Sequence, residues 1–216
     1  QENGVDHPRG RAALRRMNTQ HRRFSIPNDE YLYTLSTFVL EPVRWIDRFG
    51  WRRLACHERR ALFYCWSEIG ARMGIRDIPA SYEALERFNI AYERQHLRYA
   101  DDNHRLAVAT RDLMLGWVLP TRLRPLGATV IHALLDEPLL EALGLPSPPR
   151  AARSLVVGAL RLRARVLRLL PPRRRPRLLT RMPNRTYPNG YRLDQLGADR
   201  GTDGASHQRA ACSGGD

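Results

Sequence analysis

The sequence predicts an all-α fold: a multi-helix globular domain with a buried central helix and a basic, largely disordered C-terminal tail. Three observations carry this. Apolar residues recur at i, i+3, i+4, i+7 spacing as far as Leu170, and the period-two alternation of a half-buried strand is nearly absent. Helix-starting and helix-stopping residues, among them Asn28, Ser81, Gly74 and Gly144, punctuate the periodic stretches. The 216 residues are 43% apolar and 8% aromatic, enough for one sizeable core and too much for general disorder.

The first helix is expected over residues 10–23, with Leu14, Met17, Asn18 and His21 on one face. Phe24-Ser-Ile-Pro-Asn28 interrupts it. Asn28 is placed as an N-cap, followed by Asp29 and Glu30 where acids suit the helix dipole. The helix from Tyr31 to Phe49 is apolar nearly all round (Leu32, Leu35, Phe38, Val39, Leu40, Val43, Trp45, Ile46), the pattern of a buried central helix, with a kink expected at Pro42. A third helix is expected from Cys56 to Met73, stopped by Gly74. Ser81 caps a helix read as far as Asp101, and Asn103 a second one to Trp117. Pro120 and Pro125 break the chain before a helix over 126–135. A short helix over 137–143 ends at Gly144, and the last helix spans 150–170. Residues 1–197 are assigned to the folded domain, and the polar, Gly-rich residues 198–216 to a disordered tail.

Charge excludes some chemistry. All 36 basic residues are Arg, so lysine Schiff bases and P-loop lysines are absent from this stretch. Residues 1–149 hold 21 Arg against 18 acids, whereas residues 150–216 hold 15 against 4, so nearly all of the net +14 lies in the last third. No apolar run reaches the ~18 residues of a membrane span. The first 25 residues lack the apolar core of a signal peptide. These features place the chain in the cytoplasm or at a membrane periphery, and Gln1 in place of Met reads as a fragment. Three cysteines make no disulfide framework; Cys56 and Cys65, nine apart on one helix, point to opposite faces and read as buried or idle thiols.

Motifs for other enzymes are missing. His57-Glu58 is followed by Arg-Arg-Ala rather than completing a zinc motif, and there is no CxxC, phosphate loop or nucleophile elbow. Glu93-x-x-His96 and Asp101-x-x-His104 have the spacing of a di-iron carboxylate site. Such a site needs the two pairs on facing helices, and a bend at 101–103 is expected to splay them apart. In the last helix, Leu155, Ala159, Leu162, Val166 and Leu169 line one face and Arg161, Arg165 and Arg168 another. With Arg173, Arg174 and Arg175 beyond it, residues 150–177 have the composition for peripheral contact with an anionic membrane, which gives a second reading as a non-enzymatic, membrane-associated helical scaffold. Nucleic acid is disfavoured as a partner, because no aromatics interleave with the basic residues.

One long run gives more. Arg16-Met-Asn-Thr-Gln-His21-Arg-Arg-Phe-Ser-Ile-Pro-Asn-Asp-Glu-Tyr-Leu-Tyr-Thr-Leu-Ser-Thr-Phe-Val resembles the MpaB/latex-clearing-protein (rubber oxygenase) family. The likeness continues through Glu41-Pro42-x-x-Trp45, Gly50-Trp51-Arg52, Glu68-Ile-Gly-x-x-Met73-Gly-Ile and Tyr92-Glu93 to Arg185–Tyr191, covering residues 10–197. The resemblance implies an oxidoreductase with haem b as cofactor, acting with dioxygen on a hydrophobic, isoprenoid or lipid-like substrate. The family's axial histidine falls on His21, which makes it the metal ligand. Met17 shares its face, Phe38 or Trp45 would supply an apolar wall, and Arg22 or Arg23 would pair with propionates. The family's distal-side residues lie farther upstream than the twenty residues preceding His21, so no catalytic residue is expected in this stretch.

Overall fold

The computed structural model describes residues 4–171, 190 and 192, and groups the chain into two compact units: residues 1–27 with 177–216, and residues 28–176. Among the described residues the regular elements are helices, as the periodicity predicts. The disordered tail expected at 198–216, which includes the third cysteine, Cys212, lies outside the described residues.

In the first unit, α1 spans Pro8–His21, two residues earlier at each end than expected. Pro8 suits the opening turn, where a missing N–H costs nothing, and His7 Nδ1 accepts from the Arg9 N–H at 3.2 Å. The helix closes when the Arg22 N–H donates to the Asn18 carbonyl at 3.0 Å.

The second unit is built on α2 (Asn28–Phe49), against which α3 (Cys56–Met73), α4 (Tyr82–His96) and α8 (Arg150–Leu169) pack. Between α4 and α8 run α5 (Asp101–Val118), a 3₁₀ turn (Thr121–Leu123), α6 (Arg124–Leu134) and α7 (Glu137–Ala142). Leu32, Leu35, Val39 and Leu40 of α2 meet Phe63 of α3, Leu85 of α4 and Ile75 in the core. Gly70 lets α2 and α3 approach, because a Cβ there would lie 2.6 Å from Leu35 Cδ2.

The central helix is therefore buried on one face rather than all round. Phe38 and Trp45, read as part of its apolar girdle, are 48% and 47% exposed. Tyr33, Thr37, Glu41, Arg44 and Arg48 form a polar stripe at helical spacing beside them. α2 runs on through Pro42, which is exposed.

Several boundaries differ for local reasons. The Asn28 side chain reaches across to the loop after α3, accepting from the Arg76 N–H at 2.9 Å and donating to the Arg76 carbonyl at 3.2 Å. The start of α3 is held by Glu58, which accepts from the Ala55 N–H at 2.8 Å and from both ends of the Arg52 guanidinium. Those donors bring the Glu58 carboxyl down to about 2, the Arg52 hydrogen bond contributing most. Gly74 ends α3 with φ +83°, as expected. Ser81 caps α4 by accepting from the Ala84 N–H at 3.1 Å, but α4 stops at His96, and α5 starts at Asp101 rather than Asn103. The Tyr99 hydroxyl donates to Asp101 at 2.9 Å in that break. Pro125 sits in the first turn of α6 instead of ending a segment. Cys56 and Cys65 are exposed free thiols, not buried ones.

Candidate functional site

His21 is the last residue of α1, and it is half-buried together with Leu14, Met17 and Asn18 of the same face. Arg22 and Arg23 follow on exposed backbone, and the Arg22 guanidinium donates to Thr19 Oγ1 at 3.4 Å. A partly shielded imidazole on a helix face it shares with a methionine and a leucine is a donor that would suit a haem iron. Among the described residues, no three His, Cys, Asp or Glu side chains gather to hold a metal ion. The di-iron pairs are engaged separately: Glu93 accepts from Tyr33, His96 stacks on Tyr92, Asp101 accepts from Tyr99, and His104 Nδ1 meets the Leu143 carbonyl at 2.8 Å. They lie on two helices, α4 and α5, separated by residues 97–100.

Phe38 and Trp45, expected as walls for the same cofactor, belong to the other compact unit. Phe38 stacks on Trp66, with centroids 4.6 Å apart. Trp45 packs on Phe49 and lines a cleft of about 490 Å³ between the outer side of α2, the end of α4, the end of α6 and α7. Trp45, Phe49, Leu97, Leu134, Pro138 and Leu139 give this cleft apolar surface.

Its polar side is the stripe along α2. The Tyr33 hydroxyl donates to Glu93 at 3.3 Å. Burial, reinforced by the Glu93 charge, pushes the phenol up to about 12, so it stays a donor across the physiological range. Arg44 bridges Glu41 at 2.7 Å and Asn89 Oδ1 at 2.9 Å, and Arg48 reaches Asp136 at 3.2 Å. Each cation is thus matched by a carboxylate, and the cleft suits a largely apolar guest. Residues carrying the family resemblance at separate points of the chain, Glu41, Trp45 and Glu93, meet in this cleft. Sequence reading missed Tyr33 and Arg44. The i, i+4, i+8, i+11, i+15 run of polar residues from Tyr33 to Arg48, within a helix otherwise rich in apolar positions, was the available signal.

An all-helical domain with a half-buried histidine closing one helix, and an apolar cleft edged by paired charges, is the class these features define. The chain matches the family described as ER-bound oxygenase mpaB/B'/Rubber oxygenase, catalytic domain, over residues 6–169, and it belongs to that family. It is 27% identical to ER-bound oxygenase mpaB' of Penicillium brevicompactum over 157 residues, which are 67% of this chain and 37% of that protein. It is 27% identical to ER-bound oxygenase mpaB of Penicillium roqueforti (strain FM164) over 130 residues, 55% of this chain and 43% of the relative. The chain therefore spans less than half the length of these curated relatives.

Proposed function

We propose that this chain supplies part of the haem-binding side of a haem-b-dependent oxygenase acting on a hydrophobic, unsaturated substrate, with His21 the residue that would hold the iron. The observation that carries the reading is the family match, which runs through His21 and through both compact units. Haem b, when bound, supplies activation of dioxygen. The chain's own residues do the rest of the work assigned to them here. His21 would hold the haem iron through its imidazole, Met17 and Leu14 on the same face would shield that ring from water, and Arg22 would offer a guanidinium to the group's carboxylates. In the second unit, Trp45 and its apolar neighbours receive the hydrocarbon part of a guest. Tyr33, kept protonated by burial and oriented by the hydrogen bond it donates to Glu93, leaves its oxygen to accept from a polar hydrogen at the guest's end.

The test expresses the protein from its full reading frame, loads it with haem, supplies an unsaturated isoprenoid under ¹⁸O₂ and looks for labelled carbonyl or hydroxyl products by mass spectrometry. Label in product with the wild type and none with His21→Ala is the expected result. A haem-loaded wild type that gives no labelled product across isoprenoid and fatty-acyl substrates overturns the oxygenase reading.

A further inference from the structure

We infer that α8 is a membrane-surface helix whose outward face lies on an anionic lipid bilayer, whether or not the haem reading holds. A helix that serves only a core needs one apolar stripe. α8 has two. The inner stripe, Val156, Val157, Leu160, Ala164 and Leu167, is the one turned into the protein, where α6 is the main neighbour. Arg153 fixes that rotation by pairing with Glu137 of α7 at 2.7 Å. The apolar face read from the sequence is the other one. Leu155, Leu162, Val166 and Leu169 stand 75%, 59%, 50% and 85% exposed, with Gly158 and Ala159, also exposed, between them. Solvated leucines in a row are costly unless something apolar meets them.

Charge says what meets them. Exposed Arg161, Arg165 and Arg168 flank the stripe on one side and Arg163 on the other. From Ala142 to Leu193 the chain holds thirteen Arg and no Asp or Glu. Long arginine stems beside a leucine stripe can lay their carbons on apolar surface while the guanidiniums reach phosphate groups. A second copy of this chain would set arginine rows against arginine rows. A nucleic acid would use the arginines and leave the leucines wet. No described helix is long and apolar enough to cross a membrane, so the fitting geometry is a helix of about 30 Å lying in the interface.

The test is co-sedimentation of the whole chain with phosphatidylcholine vesicles, with and without phosphatidylglycerol. Two variants accompany it: Leu155→Ser/Leu162→Ser/Leu169→Ser, and Arg161→Gln/Arg165→Gln/Arg168→Gln. Leu169→Ser alone, in the last turn, repeats the leucine test should the triple variant lose helical circular dichroism. Binding is expected only with phosphatidylglycerol and is expected to weaken as salt rises. Each triple variant should partition about tenfold or more weakly. Three outcomes overturn the proposal: leucine variants that bind vesicles like wild type; a lipid-free dimer that the leucine changes dissolve, which would make the face a self-interface; or binding to duplex DNA in place of vesicles with the leucine variants unaffected.

Discussion

Arg44 links the outer stripe of α2 to the core through Asn89, which is fully buried and passes the connection on to Ser36 Oγ at 3.0 Å. Ser36 in turn donates to the Tyr33 carbonyl at 2.6 Å. Asn89→Ala removes an acceptor and a donor at once and leaves a void. It should lower the unfolding free energy by about 2–4 kcal/mol in a urea titration, with Tyr33 and the cleft loosened beside it. His132 carries a different load. It is 5% exposed, and its Nε2 lies 3.3 Å from the Arg111 guanidinium, so that nitrogen must accept and the ring must be neutral. Burial, with the Arg111 charge behind it, holds the imidazole below its usual range despite the Pro146 carbonyl. The unfolded ring takes up its proton near pH ~6.5 and the folded ring only at lower pH. The stabilising contribution is therefore complete above that pH and is lost as pH falls through the folded value. The wild-type urea midpoint should drop as pH falls below about 6.5, and His132→Gln, which keeps an acceptor and a donor without titrating, should flatten the drop.

At the scale of elements, glycines separate close approach from open surface. Gly144 ends α7 with φ +61°, and a Cβ there would sit 2.5 Å from the Tyr99 ring and 3.2 Å from His104 Nδ1. Gly144→Ala should cost at least about 2 kcal/mol and shift the thermal midpoint down, since left-handed strain and collision add. Gly158 on α8 has nothing within 4 Å, so Gly158→Ala should raise stability by roughly 0.5–1 kcal/mol through helix propensity alone. The order of the helices was legible because capping and stop residues act locally: Ser81 and Gly74 do what their chemistry dictates. Asn28 was misassigned because its side chain spends both hydrogen-bonding ends on Arg76, 48 residues away, which no local pattern reveals. The inner stripe of α8 was missed for a related reason. Two stripes fit its periodicity, and only the pairing of Arg153 with Glu137 and the packing beside α6 select the inner one.

Over the whole molecule, the charge asymmetry was legible in the bare sequence and the cleft was not. The cleft needs Tyr33 and Glu93, sixty residues apart, to be brought together by the packing of α4 on α2. His21 stood out among seven histidines only through the family resemblance, and the family match covers it. The structure adds its place: half-buried at the end of α1, on the side of Leu14 and Met17. The measurement that tests the central claim most directly is a haem titration followed by visible absorption, on wild type, His21→Ala and Met17→Leu, with circular dichroism to show that α1 is intact. The account predicts a saturable Soret band in wild type, its loss or displacement in His21→Ala, and its retention in Met17→Leu. No Soret band in wild type, or an identical one in His21→Ala, would contradict the account.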